Sequence, residues 1–374
     1  GLAGEGTFRA PVVPTSEPRL VQLLRLAEES EGERQWEAAC ALHEERLCLA
    51  ENDGQLWKEY GLMLLRAGQP AKAEAALRES LSIAPEDTIA LTAYAVLLFC
   101  RDKLDDAESF FKGAVDLSNE SPLAWAALAT LYASQGRERD AKRAFKQAAS
   151  LSPDPDSLRL LLAESVLPLC AESMAEVALS QHALAKGGEG SEPLRARICR
   201  ARARAAAHRH EEAVVLFEQL VVDAPERADL RTELGHALFC AGQSASALES
   251  YVSALSLSPD SRDALLLLRT SQLTALSAEA SPPGPVQHAM WTRSRDAALR
   301  ACKLRPSAST WLAVGKACAA LSSSTEAEEA LSEACVLNNR DHKVWAHLCL
   351  LTLRLGRRDE AAHSLRQALR LGLA

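Results

Sequence analysis

The side chains that could do chemistry in this 374-residue chain are ten cysteines, a histidine pair, two glutamate pairs and one run of arginines. His208 and His210 flank Arg209. Two imidazoles could begin a metal site, but no further ligand stands at a recognisable spacing, so the segment reads as a solvated turn. Glu211–Glu212 and Glu328–Glu329 could share acid–base work. On helical segments, however, such pairs read as exposed charges. The cysteines are Cys40, Cys48, Cys100, Cys170, Cys199, Cys240, Cys302, Cys318, Cys335 and Cys349, with no CxxC spacing. They read as free, mostly buried thiols of a reducing compartment. The sequence has no Walker loop, GxSxG, HExxH or Gly-rich phosphate cradle. The expectation is therefore a non-enzyme with no catalytic residues, no cofactor, no metal and no small-molecule substrate.

The arginine run lies in LRARICRARARAAAHRH, residues 194–210. Arg197, Arg200 and Arg204 follow at steps of three and four, which places them on one helical face, with Arg195 and Arg202 on another. An unpaired buried guanidinium is costly. Either the turn at His208 is one residue short, rotating Ile198, Ala201 and Ala205 inward, or the arginines snorkel outward. The strip could grip an acidic tail or a phosphorylated partner, or it could be a solvated face paired with nearby glutamates. The whole chain carries a net charge of −8, which excludes a broad nucleic-acid surface. It has no 18-residue apolar run and no signal-peptide core, so no membrane span is expected. The start without Met suggests a piece of a longer protein or a processed chain.

The elements that position these residues come from a repeat. A small residue recurs every 34 residues at Ala39, Ala73, Ala107, Ala141 and Ala175, then at Ala213 and Ala247, and at Ala327 and Ala361. A bulky residue follows four places later at Leu77, Phe111, Phe145, Leu179, Phe217, Tyr251, Leu331 and Leu365. The preceding helix carries Trp57, Leu91, Trp125, Trp311 or Trp345, and the position four further on in the repeat is small at Gly61, Ala95, Ala129, Gly235 and Gly315. Gly68, Gly136, Gly242 and Gly356 end first helices, and Pro85, Pro153, Pro225, Pro259 and Pro306 end second ones. Each unit is thus a pair of antiparallel helices that must stack on its neighbours to bury its apolar face.

In residues 122–155, Trp125, Leu128, Ala129, Tyr132, Ala141, Phe145, Ala148 and Pro153 reproduce the ladder of the tetratricopeptide repeat, with Ala for its Gly. The chain resembles that family over about residues 20–374. The resemblance implies an all-α solenoid, a superhelix of antiparallel helix pairs. About ten units start near residues 20, 54, 88, 122, 156, 194, 228, 262, 308 and 342. Two are irregular: the fifth, with Pro168 and four extra residues, and the eighth, interrupted by SAEASPPGPVQ. The expected organisation is a linker at 1–19, a first block at 20–186, a Gly-rich linker at 187–193, a second block at 194–276, an insertion loop at 277–287 and a third block at 288–374.

In this repeat family the first helices line a concave groove. The groove positions of the second and third units include Lys58, Leu62, Leu65, Arg66, Ile89, Val96, Phe99 and Cys100. That surface is apolar enough to receive an amphipathic helix or an extended peptide, unless another part of the parent chain fills it. The asparagines of the family's carboxylate clamp are missing around Lys58, Leu62 and Ala93, which disfavours chaperone tails as ligands.

Three segments, LLRLAEESEGERQWEAACALHEERLCLAENDGQLWKEYG at 23–61, AESFFKGAVDL at 107–117 and ALSEACVLNN followed by VWAHL, narrow the resemblance further. They look like the C-terminal array of the cilia- and flagella-associated protein 70 family. That resemblance implies an interaction scaffold of the ciliary or flagellar axoneme near the base of the outer dynein arms, with axonemal or docking proteins as partners. It also implies a part in ciliary motility. Two other readings remain. One is a mobile cargo or assembly adaptor in ciliary transport. The other is the regulatory array of a larger enzyme, although such arrays tend to carry an asparagine ladder and this chain has only Asn52, Asn119, Asn338 and Asn339.

Overall fold

The computed structural model describes residues 18–185 and 193–372. The described residues form twenty α-helices and one 3-10 turn, and contain no strand. They divide into two compact units, residues 23–242 belonging to one and residues 243–374 to the other. The expected linkers at 1–19 and 187–193 fall almost wholly outside the described residues; α1 already begins at Arg19.

The first unit takes α1 (Arg19–Gly32) from Leu23 onward, α2 (Trp36–Leu49), α3 (Gly54–Arg66), α4 (Pro70–Ile83), α5 (Thr88–Cys100), α6 (Leu104–Leu117), α7 (Pro122–Ser134) and α8 (Glu138–Leu151). It continues with α9 (Leu158–Val166), a 3-10 turn (Leu167–Leu169), α10 (Glu172–Ala185), α11 (Leu194–Ala206), α12 (His210–Asp223) and α13 (Ala228–Cys240). The second unit holds α14 (Ser244–Leu257), α15 (Ala264–Ala280), α16 (Pro285–Leu304), α17 (Ala308–Ala320), α18 (Ser324–Leu337), α19 (His342–Arg354) and α20 (Arg358–Arg370). Within the units, α3–α4, α5–α6, α7–α8, α9–α10, α11–α12, α15–α16, α17–α18 and α19–α20 pack as the helix pairs of an all-α tetratricopeptide array.

Local chemistry fixes the ends of most first helices. Asp53, Asp87, Ser121, Asp263 and Asp341 cap α3, α5, α7, α15 and α19 by accepting early backbone N–H groups. Ser307 and Thr310 form a reciprocal capping box on α17. At the other end the chain turns through a left-handed residue with a period of 34: Arg34, Gly68, Asp102, Gly136 and Cys170, then His208 and Gly242, then Ser322 and Gly356. Four of these are the glycines noticed in the sequence; the other five carry side chains in a conformation that disfavours them.

Side-chain size explains the small positions of the ladder. A Cβ on Gly61 would sit 2.8 Å from Leu77 Cγ, and one on Gly315 2.7 Å from Leu331 Cγ. Where the facing residue is Phe111 or Phe217 instead, Ala95 and Ala201 occupy the same place, fully buried. The signature tryptophans have a double role. The indole N–H groups of Trp57, Trp125 and Trp345 donate to the carbonyls of Glu51, Asn119 and Asn339 at 2.9–3.0 Å. Each therefore staples the turn preceding its helix and stays half-buried. In α13 the guanidinium of Arg231 does the same for the Pro225 carbonyl, at 2.9 Å.

The two irregular units differ from expectation in instructive ways. In the fifth, α9 packs on α7, the 3-10 turn packs on α3 and α5, and α10 packs on α5 and α7. Pro168 and the left-handed Cys170 make this bend. In the eighth, the expected loop at 277–287 is mostly helix: α15 runs to Ala280 and α16 starts at Pro285. The extra turns are tied by Ser294 Oγ donating to the Ser271 carbonyl at 2.9 Å and by Gln287 Nε2 donating to the Ala278 carbonyl at 3.0 Å. Ala275, Ala278, Trp291 and Ala317 bury one another beside them.

Candidate functional site

The expected apolar groove is not open. The 3-10 turn and α10 lie against α3 and α5, and Leu65, Val96 and Phe99 are buried. Leu62 is half-buried. Cys100 Sγ accepts from Ser173 Oγ of α10 at 3.4 Å. Lys58 is 7 % exposed and donates to Asp87 Oδ2 at 2.6 Å, the carboxylate that also caps α5. It bridges successive units and is not presented to a partner. Arg66 holds Glu31 through two hydrogen bonds of 2.9 and 2.7 Å. Of the groove residues, Ile89 stands mostly in solvent, 60 % exposed, and Cys100 is exposed as well. The chain's own fifth unit fills the groove, and this was the alternative left open by the sequence.

The arginine helix is engaged in the same manner. The turn Ala207–His208–Arg209 matches Ala67–Gly68–Gln69 residue for residue, so no residue is missing. Ile198 and Ala201 are buried, Ala205 is half-buried, and the arginines snorkel to either side of that stripe. Arg195 clasps Glu164 of α9 at 2.8 Å through two nitrogens. Arg197 meets Asp223 of α12 at 2.5 Å, and Arg202 meets Glu233 of α13 at 2.8 Å. Arg200 reaches Glu176 of α10 at 3.3 Å. Arg204 pairs with Glu172 and Glu176 of α10 and lies 3.6 Å from Glu212. Positions that hold Trp, Leu and Tyr in the regular repeat thus hold an ionic seam joining α11 to the helices on both sides.

The two predicted patches meet at a cleft of about 280 Å³ in the first unit. Arg66, Ala205 and Ala206 line it, together with Arg34, Trp36, Pro168 and His236. Across it the Arg34 guanidinium donates to His208 Nδ1 at 3.1 Å and to His210 Nε2 at 3.3 Å. Both imidazoles must be neutral to accept. Burial, with the nearby Arg34 charge, pushes both below the ordinary histidine range; for His210, which also feels His208, to about 4. Gly68 leaves the room His208 needs, since a Cβ there would lie 3.3 Å from its Nε2. At the turn that the sequence suggested was solvated, His208 and Arg209 are exposed and His210 is half-buried, and both rings also meet Arg34 in the turn between α1 and α2. The signal that could have found this was the 34-residue period read at Arg34, where a side chain stands in the glycine position.

Among the described residues no group of three His, Cys, Asp or Glu side chains could hold a metal ion, and no helix is long and apolar enough to cross a membrane. The cysteines are free; Cys40, Cys199, Cys302, Cys318 and Cys349 are buried, and Cys48 and Cys100 are exposed. Burial holds the thiols of Cys199, Cys302, Cys318 and Cys335 up at about 11, so they are poor nucleophiles at neutral pH.

Comparison with known proteins bears on both units. Residues 23–152 match the family described as the cilia and flagella-associated protein 70 middle TPR-like domain, and residues 228–374 match the C-terminal domain of the same family. The span between the matches, 153–227, holds the folded-back fifth unit and the arginine helix. A cilia- and flagella-associated protein 70 of Macaca fascicularis is 43 % identical over 83 residues, 22 % of this chain and 8 % of that protein. The Homo sapiens protein of that name is also 43 % identical over 83 residues, 7 % of its length. The match therefore spans less than a tenth of either relative. Among solved structures, a crystal structure of MamA is 17 % identical with a TM-score of 0.38, covering 46 % of this chain and 93 % of that one. A thermophilic TPR protein of Thermus thermophilus is 20 % identical with a TM-score of 0.36, covering 48 % of this chain and 92 % of that one.

Proposed function

Because this chain belongs to the cilia and flagella-associated protein 70 family, we propose that it is a protein–protein interaction scaffold of the ciliary or flagellar axoneme. Its place is near the base of the outer dynein arms, where it helps regulate ciliary motility. The observation that carries the reading is the pair of family matches lying in order on two stacks of paired helices. Such stacks offer extended surfaces with no reacting centre, which suits a scaffold better than a catalyst. Its partners are axonemal proteins, outer dynein arm or docking components among them. A partner that captured Arg197, Arg200 and Arg204 would have to displace Asp223, Glu172 and Glu176. The exposed faces of the units, and Ile89, therefore offer easier contacts than the filled groove.

The test is extraction of isolated axonemes carrying the endogenously tagged protein, followed by crosslinking mass spectrometry. Retention after detergent, release by high salt and crosslinks to outer-arm components are expected. Loss into the detergent-soluble matrix would instead support a mobile transport adaptor and overturn the scaffold.

A further inference from the structure

Helix α8 lacks a neighbour that its counterparts have. In the first unit, α2, α4, α6, α10 and α12 each pack against the helix that follows, whereas α9 has moved onto α7 and reaches α8 through Arg159 over Phe145. The burial pattern records the loss. The ladder alanines Ala73, Ala107, Ala175 and Ala213 are fully buried, and so are Leu77, Phe111, Leu179 and Phe217 four residues on. In α8 the same two positions, Ala141 and Phe145, are only half-buried. Ala149, one turn beyond Phe145 on the same side, is half-buried too.

The flank of this strip is cationic. Lys142, Lys146 and Arg139 continue around the helix from Ala149 at the 100° steps of an α-helix. Lys142 is 79 % exposed and its one carboxylate is Glu138 in its own helix, at 3.2 Å. No described carboxylate pairs with Arg139, Arg143 or Lys146. The remaining side is roofed by Arg159 of α9, whose guanidinium lies 3.5 Å over the Phe145 ring. Its Nε is buried with no hydrogen-bond partner, and no described carboxylate neutralises it. In a chain of net charge −8, whose other arginine-rich helix is matched to carboxylates throughout, this set, in which Lys142 alone meets a described carboxylate, stands apart.

We propose that the step between α8 and α9 is a docking slot for an acidic amphipathic helix from a partner protein. Its apolar residues occupy the Ala141–Phe145–Ala149 strip, and its carboxylates meet Lys142, Lys146, Arg139 and Arg159. The occupant is a helix because a helix fills the corresponding place after the other second helices of this unit. It is acidic because the flank and the roof of the slot are cationic and, apart from the exposed Lys142–Glu138 pair, unmatched among the described residues. The slot names one surface for the scaffold reading and rests on it, but its failure would leave the axonemal placement untouched.

The probe is a fluorescent, stapled 14-residue helix with leucines on one face and glutamates on both flanks, titrated against the whole chain. A version with lysine for every glutamate is the control. Saturable binding of the acidic helix alone is expected, weakened at least tenfold in the K142E/K146E variant and steeply reduced by salt. Both lysines are exposed, so circular dichroism of that variant should be unchanged. A photoreactive residue in place of Ala149 should crosslink to the acidic helix. No saturable binding, equal binding of the basic helix, binding indifferent to K142E/K146E, or no crosslink from position 149 would each overturn the proposal.

Discussion

At the residue scale, the turn positions store measurable strain. Asp102 and Ser322 adopt φ of 60° and 65° and are exposed, and no larger role ties down either side chain. Asp102→Gly and Ser322→Gly should each stabilise the protein by about 1 kcal/mol, read as a higher urea midpoint at constant slope. Gly315→Ala should do the opposite, by about 1–3 kcal/mol, because its Cβ would drive into Leu331. Protonation acts at the same scale. His210 is held near 4 and His208 is also lowered, so the folded protein keeps both rings neutral while the unfolded chain takes protons near pH 6.5. The stability they contribute is complete above that pH and is lost as pH falls toward about 4. A thermal midpoint should therefore drop between pH 7 and pH 5. Arg34→Gln, which removes the cation both rings face, should flatten that slope.

At the scale of helices, identical letters in the ladder carry unequal weight. Phe111 is fully buried, and Phe111→Ala should cost about 3–5 kcal/mol. Phe145, at the same repeat position, is half-buried beneath Arg159, and its truncation should cost roughly half as much in the same denaturation experiment. The sequence could not separate the two, because the pattern within a helix records which face is apolar and not whether a neighbour arrives. The positions of the helices, by contrast, were legible: the expected starts at 54, 88, 122, 194, 228, 308 and 342 are the observed ones. Caps, glycines and spacing are local, and they set local structure. The arginine seam is a case between. Its face was readable from the steps of three and four, but its acidic partners lie on α9, α10, α12 and α13, most of them 24 or more residues away in sequence. Arg204→Glu would place a carboxylate among Glu172, Glu176 and Glu212, and should lower the thermal midpoint more at low salt than at high salt. Charge reversal at Arg197, Arg200 and Arg204 tests the fold before it tests any partner.

For the whole molecule, the fold-back of the fifth unit changes how the first unit should come apart. Repeats that touch only their neighbours can fray from either end, one helix pair at a time. Here Arg34 is joined to His208 and His210 across 174 and 176 residues of chain, and α10 is seated against α5. Such distant links raise contact order and make the ends answerable to each other. Hydrogen exchange on the intact chain should show α1–α2 and α11–α12 losing protection together, with Arg34→Gln uncoupling them. The array of residues 23–242 then behaves under load as a clasped ring rather than as a spring, opening in one step or not at all.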